Sequence, residues 1–138
     1  MKLITYLFFD GQCEAAFKFY AQCLGGQLGA IFRYAGTPLA DQVPADWQDK
    51  VMHATLAVGD KVLMGMDAPP THYAVPQGIF VSITVAAAEA ERVFKALAES
   101  GKVTMPFQQT FWSSGFGMTV DRFGIPWMVS SEQATVTI

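Results

Sequence analysis

The chain has 138 residues, 51 % of them apolar and 13 % aromatic, and a formal net charge of −3. This composition excludes a disordered chain, and the lack of any Lys/Arg cluster removes the footprint of a phosphate backbone, so no nucleic-acid partner is expected. The length fits one domain with a real core, and no stretch nears the 18 apolar residues of a membrane span, so no membrane partner is expected either.

Met1-Lys2-Leu3 enters a strand-like run directly, without the charged region and cleavage site of a signal peptide. The two cysteines, Cys13 and Cys23, fall on one predicted helix. At ~1.5 Å per residue they stand about 15 Å apart, too far for a disulfide. Reduced thiols and a cytoplasmic location are expected.

In chain order, Leu3 to Phe9 reads as a strand and Cys13 to Leu24 as a helix, with Asp10 as candidate N-cap and Gly25-Gly26 as the stop. Ala16, Phe19, Tyr20, Cys23 and Leu24 make its apolar stripe. Gln27 to Tyr34 reads as a strand. Ala35 to Lys50 is a long loop, in which Trp47 is either a lid residue or packs the loop down. Met52 to Val58 and Lys61 to Met66 are strands joined by a Gly59-Asp60 hairpin turn. A proline-bearing linker covers about residues 68–77.

The order then repeats. Ile79 to Val85 is a strand and Ala87 to Ser100 a helix with the stripe Ala90, Val93, Phe94, Leu97 and Ala98. Strands follow at Val103 to Gln108, Phe116 to Asp121 and Trp127 to Ser130, and the tail Glu132 to Ile138 frays or adds an edge strand. Gly25 and Gly101 end the two helices 76 positions apart. The reading is α+β: paired βαβββ modules, about 1–67 and 78–132, forming a curved mixed sheet with a concave cleft in a single domain over 1–138. One module of this size would leave one face of its sheet open.

His53 is the first chemical candidate. In its strand Met52, Ala54, Leu56 and Val58 form the more apolar set and should face the helices. His53 and Thr55 then face the cleft, where the histidine is a general base, a metal ligand, a donor to substrate, or a structural residue bonded to a neighbouring strand. His72, in the linker, reads as solvated. Gly115 and Gly117 alternate along a strand and let a ligand or backbone come close. Asp121 reads as a turn residue bonding backbone amides. Trp112 is a pocket wall or an interface anchor. Met64, Met66, Met118 and Met128 suit an adaptable apolar pocket or fill the core.

Three segments carry a family resemblance: Tyr6-Leu7-Phe8-Phe9-Asp10-Gly11, His53-Ala54 through Gly59-Asp60-Lys61-Val62-Leu63-Met64, and Phe116-Gly117-Met118 through Asp121-Arg122-Phe123-Gly124. In this order and spacing they resemble the PhnB-like, or demethylubiquinone methyltransferase-like, family of the vicinal oxygen chelate superfamily, which includes glyoxalase I, fosfomycin-resistance proteins and extradiol dioxygenases. The resemblance runs from Leu3 to Ser131. It implies paired βαβββ modules around a cleft (the glyoxalase-like fold) and a homodimer. It also implies that metal-using relatives take His or Glu ligands from four strand positions. Here those positions hold Thr5, Met64, Phe80 or Ser82, and Met128. None supplies the imidazole or carboxylate that a hard or borderline divalent ion takes. No glycine-rich cofactor loop accompanies the methyltransferase label.

The expected function is therefore binding of a small, partly apolar molecule in the cleft by His53, Thr5, Met64, Trp112 and Met128, with no cofactor and no metal at the usual positions. Two alternatives stand beside it. One is a glyoxalase- or dioxygenase-type enzyme with a non-standard site around His53, with or without a divalent metal. The other is an antibiotic-binding resistance protein.

Overall fold

A computed structural model describes residues 1–132. Apart from Glu132, the tail expected to fray or add a strand lies outside the described residues. The chain forms two compact units, one from Met1 to Ala74 and one from Val75 onward, and the boundary falls inside the expected linker.

In the first unit the order is β1 (Thr5–Phe9), α1 (Cys13–Leu24), β2 (Gln27–Arg33), two short 3-10 turns (Ala40–Gln42 and Ala45–Trp47), β3 (Val51–Val58) and β4 (Lys61–Asp67). The sheet order is β1-β4-β3-β2. Strand β1 runs parallel to β4, and the other neighbours are antiparallel. Val58 pairs with Lys61, so Gly59-Asp60 is the two-residue turn expected, with Gly59 at φ +59°.

Helix α1 covers one face of this sheet. Its buried residues are Cys13, Ala16, Phe17, Tyr20 and Cys23. The stripe is thus turned from the expected one: Phe17 is fully buried, whereas Phe19 and Leu24 are only half-buried. The cause lies in β4, where a Cβ on Gly65 would meet the Phe17 ring at 2.9 Å. The missing side chain at Gly65 is the socket that Phe17 occupies. Asp10 is not the N-cap: Gln12 holds that position without a side-chain bond. The first turn is satisfied from β4 instead, by Asp67 Oδ1 accepting the Cys13 N–H at 2.8 Å.

In the second unit β5 (Val81–Val85), α2 (Ala87–Ala98), β6 (Lys102–Gln108), β7 (Phe116–Val120) and β8 (Pro126–Ser131) form a sheet ordered β5-β8-β7-β6, with β5 parallel to β8. Ala90, Val93, Phe94 and Leu97 are the buried face of α2. Gly115 and Gly117 do leave space, and the core fills it: a Cβ on Gly117 would meet the Phe94 ring at 2.8 Å, and one on Gly115 would strike the Phe107 ring. The helix ends correspond one residue differently from the sequence reading. The left-handed residue after α1 is Gly25 at φ +69°, and after α2 it is Ser100 at φ +59°. Gly101 corresponds instead to Gly26, each lying against a strand carbonyl, Val120 O or Ala57 O, too closely for a Cβ.

Asp121 is the buried turn residue expected. Its Oδ1 accepts the N–H groups of Phe123 (2.8 Å) and Ile125 (3.0 Å), and its Oδ2 accepts Trp127 Nε1–H at 2.8 Å. A carboxamide here would turn an NH2 group toward one of these donors. Asp121→Asn should therefore lower the unfolding free energy by about 1–3 kcal/mol in urea, with an unchanged m-value.

Candidate functional site

Strand alternation decides which side chains lie on the sheet face that α1 does not cover. In β1, Leu7 and Phe9 are buried toward the helix, so Tyr6 and Phe8 point the other way. Directly paired residues share a face. Tyr6 pairs with Met64 and Phe8 with Met66, Met64 pairs with Thr55, and His53 pairs with Phe32. These seven side chains lie on the open face of the first sheet. Tyr6, Phe8 and Phe32 are 42 %, 43 % and 53 % exposed, a cluster of aromatic surface that water would otherwise disfavour.

At its centre Tyr6 Oη lies 2.9 Å from His53 Nδ1, and Thr55 Oγ1 makes a longer contact of 3.4 Å with His53 Nε2. The result is a chain of polar groups, phenol to imidazole to hydroxyl, set among apolar side chains. Partial burial pushes the Tyr6 phenol above its ordinary titration range, so it stays an O–H group. The rings of Tyr6 and Phe32 flank His53 at 5.7 and 6.4 Å, tilted from it by 31° and 33°. Phe8 stands edge-on to Tyr6 at 82°.

Two anchors hold this face in place. Arg33, next to Phe32, donates to both Glu14 carboxylate oxygens (3.1 and 3.2 Å) and to Asp49 O (3.0 Å), tying β2 to α1 and to the loop. The Arg33 guanidinium in turn holds the Glu14 carboxyl below its usual range. The second anchor is Trp47, which is buried against Tyr34 at 6.5 Å, so it packs the long loop down.

The predicted site residues separate by place. His53 and Met64 lie on the first sheet's open face. Thr5 does not: it pairs with Leu63, and strand parity puts it on the helix side. A shift of one residue along a strand reverses the face. Tyr6 is the open-face residue there. Met128 lies on the uncovered face of the second sheet, paired with Ser82 and Met118. That pairing makes Ser82, rather than Phe80, the counterpart of Tyr6. Trp112 belongs to the second unit too, 48 % exposed and edge-on to Phe116 at 5.5 Å. Its loop is pinned by Ser113, whose N–H donates to Thr110 Oγ1 (3.1 Å) and whose hydroxyl donates to Gly115 O (2.7 Å). His72 is exposed in the linker, as expected.

Sequence reasoning missed Tyr6, Phe8 and Phe32. In Tyr6-Leu7-Phe8-Phe9 every position is apolar, so a period of two carries no signal about the face.

A family model, the Glyoxalase/Bleomycin resistance protein/Dioxygenase superfamily, matches residues 2–129. The chain belongs to this superfamily. It is 32 % identical to protein YjdN of Escherichia coli over 94 % of its own length and 95 % of that protein. Protein PA1353 from Pseudomonas aeruginosa is 47 % identical, with a TM-score of 0.87 over 96 % of this chain and 98 % of that one. A PhnB protein from Bacillus cereus, described as a putative 3-demethylubiquinone-9 3-methyltransferase, shares the fold at a TM-score of 0.80 and 24 % identity, over 96 % of this chain and 100 % of that one.

Membership of the glyoxalase superfamily raises the question of a divalent metal, and the donor set answers it. At or beside the positions that the resemblance marked, the open faces carry Tyr6 and Met64 in the first sheet and, separately, Ser82 and Met128 in the second. A phenol held as O–H, a hydroxyl and two thioethers do not fit a cation that takes imidazole and carboxylate. Among the described residues no three His, Cys, Asp or Glu side chains are grouped as a metal site, and no buried side-chain nitrogen or oxygen lacks a partner. Cys13 is buried and its thiol lies far above its ordinary range, chiefly through burial and then through the charge of Asp67, which leaves it inert.

Proposed function

We propose that this glyoxalase-superfamily protein binds a small, partly apolar molecule on the uncovered face of a sheet, without the divalent metal that other members use. The observation that carries this reading is the half-exposed ring cluster of Tyr6, Phe8 and Phe32 around a hydrogen-bonded His53. Such a face offers apolar contact area with a few fixed polar groups, the composition of a small-molecule site. Met64 adds an adaptable thioether on the same face; in the second unit Met128 adds another and Trp112 an exposed indole. Binding would shield this apolar surface, and the His53 chain would orient the ligand.

A second reading is an enzyme in which His53 moves a proton. The 2.9 Å Tyr6–His53 contact favours it, because an imidazole held by a phenol is a positioned acid/base. The cytoplasmic location we propose is supported by two cysteines buried on one helix.

Purified protein should carry no stoichiometric Zn, Ni, Mn or Fe. In a thermal-shift screen, small aromatic and aliphatic compounds should raise Tm while a panel of divalent ions should not; a full metal complement by elemental analysis would sink the metal-free reading. His53→Ala should weaken binding of the screen's hits about three- to tenfold, the worth of one hydrogen bond, and leave Tm within a few degrees. A collapse of Tm instead would assign His53 a purely structural role.

The assembly we propose is a homodimer, supported by Phe111 (96 % exposed) and Trp112, an apolar pair left on the surface of the single chain. Sedimentation equilibrium should give twice the 15.0 kDa chain mass. Monomer at micromolar concentration would refute the dimer and leave the binding proposal standing.

A further inference from the structure

Resting on the binding reading above and narrowing it, the geometry points to one ligand class for the first sheet's open face: a planar aromatic molecule carrying a hydrogen-bond-accepting oxygen, such as a ring carbonyl. The argument begins with the in-plane lone pair of an imidazole nitrogen. A phenol oxygen 2.9 Å from His53 Nδ1 must lie near the imidazole plane, so Tyr6 and His53 meet edge to edge rather than face to face. With a mutual tilt of only 31°, their exposed ring faces continue one another. Phe32, the cross-strand neighbour of His53, lies beside it at 6.4 Å with a tilt of 33°. Tyr6 and His53 therefore pave a gently curved floor, with the Phe32 ring beside it. Phe8, edge-on to Tyr6, stands up as a wall at one side.

A floor of two near-coplanar π faces, with a third ring beside it, makes full contact only with a flat molecule. Offset stacking of a planar conjugated ring satisfies the quadrupoles of the floor rings, and the ring edge meets the face of Phe8. A puckered, saturated molecule of equal size touches such a floor at a few hydrogens only.

The polar chain specifies the second element of the ligand. A neutral imidazole has one N–H and one bare nitrogen, whichever way it is protonated. If Nδ1 is bare, Tyr6 donates to it, Nε2–H donates to Thr55 Oγ1, and the Thr55 hydroxyl hydrogen is left over. If Nε2 is bare, Thr55 donates to it, Nδ1–H donates to Tyr6 Oη, and the phenol hydrogen is left over. Both arrangements leave one O–H at an end of the chain for a ligand acceptor. No arrangement of the neutral chain lacks a spare donor. An oxygen acceptor at the edge of a stacked ring meets that donor, and the tautomer adjusts to the end it occupies.

The test uses coumarin, a planar aromatic lactone, and octahydrocoumarin, which keeps the lactone carbonyl and loses the flat ring. Both are titrated into isotopically labelled full-length protein and followed by NMR. Coumarin should shift the Tyr6, Phe8, Phe32 and His53 ring resonances and bind about tenfold more tightly than octahydrocoumarin, the scale of an aromatic pair. Phe32→Leu should narrow that ratio. Tyr6→Phe, which keeps the ring and loses the O–H, should weaken coumarin about three- to tenfold and change the pattern of His53 ring nitrogen shifts. Equal or tighter binding of octahydrocoumarin at these resonances would overturn the aromatic assignment and leave the binding site standing. No change at these resonances with either compound at millimolar concentration would overturn both. An unchanged coumarin affinity in Tyr6→Phe would overturn the acceptor assignment alone.

Discussion

One buried carboxylate ties the first unit together. Asp67, at the end of β4, accepts the Cys13 N–H at the start of α1 through Oδ1 and the Val51 N–H at the start of β3 through Oδ2, at 2.8 and 2.9 Å. Its own carbonyl accepts the Tyr34 hydroxyl at 2.7 Å, and Lys50 Nζ donates to Gly11 O nearby at 3.1 Å. Burial raises the Asp67 pKa, while the backbone N–H groups and the charge of Lys50 draw it back. The starts of α1 and β3 are thus both held to one side chain of β4. His53 follows Val51 by two residues, so this knot also sets the height at which the imidazole meets Tyr6. The open face inherits its order from an acid that takes no part in it.

The two modules keep a common frame and fill it differently. The row Tyr6, Met64, Thr55 in the first sheet corresponds to Ser82, Met128, Met118 in the second. The pair Phe32 and His53 corresponds to Gln108 and Phe116. The chain of phenol, imidazole and hydroxyl therefore occurs in the first module alone. The second offers thioethers and aromatic edges with scattered hydroxyls. On the helix-facing sides each sheet makes room for a helix phenylalanine with a glycine, Gly65 of β4 under Phe17 and Gly117 of β7 under Phe94, so the socket is kept but moved to a different strand. A core socket leaves little room for change, while an uncovered face is free to take on new chemistry.

That freedom lets a glyoxalase-superfamily frame carry tyrosine, serine and methionine on its open faces. Ligand positions on strands are set by register, which the backbone maintains whatever side chain is present. Methionine at 64 and 128 keeps the face apolar and adaptable, and tyrosine at 6 turns its oxygen to His53. The imidazole is thereby engaged from both sides by neutral oxygen groups, an arrangement suited to orienting an uncharged ligand.

Much of this was legible in the amino-acid order. The bounds of α1 and the start of α2, the Gly59-Asp60 hairpin, the alternation that turns Ala54 and Leu56 inward and His53 and Thr55 outward, and the turn role of Asp121 follow from local rules of periodicity and turn chemistry. These are properties of neighbours in sequence. The face of Tyr6, the helix-side parity of Thr5, the choice of Phe17 over Phe19 and the burial of Trp47 followed only from folding. Each depends on a partner elsewhere in the chain: Met64 for Tyr6, Leu63 for Thr5, Gly65 for Phe17, Tyr34 for Trp47. Periodicity can say that a strand has two sides. Where all its residues are apolar, only the register of pairing with a strand nearly sixty residues away says which side is which.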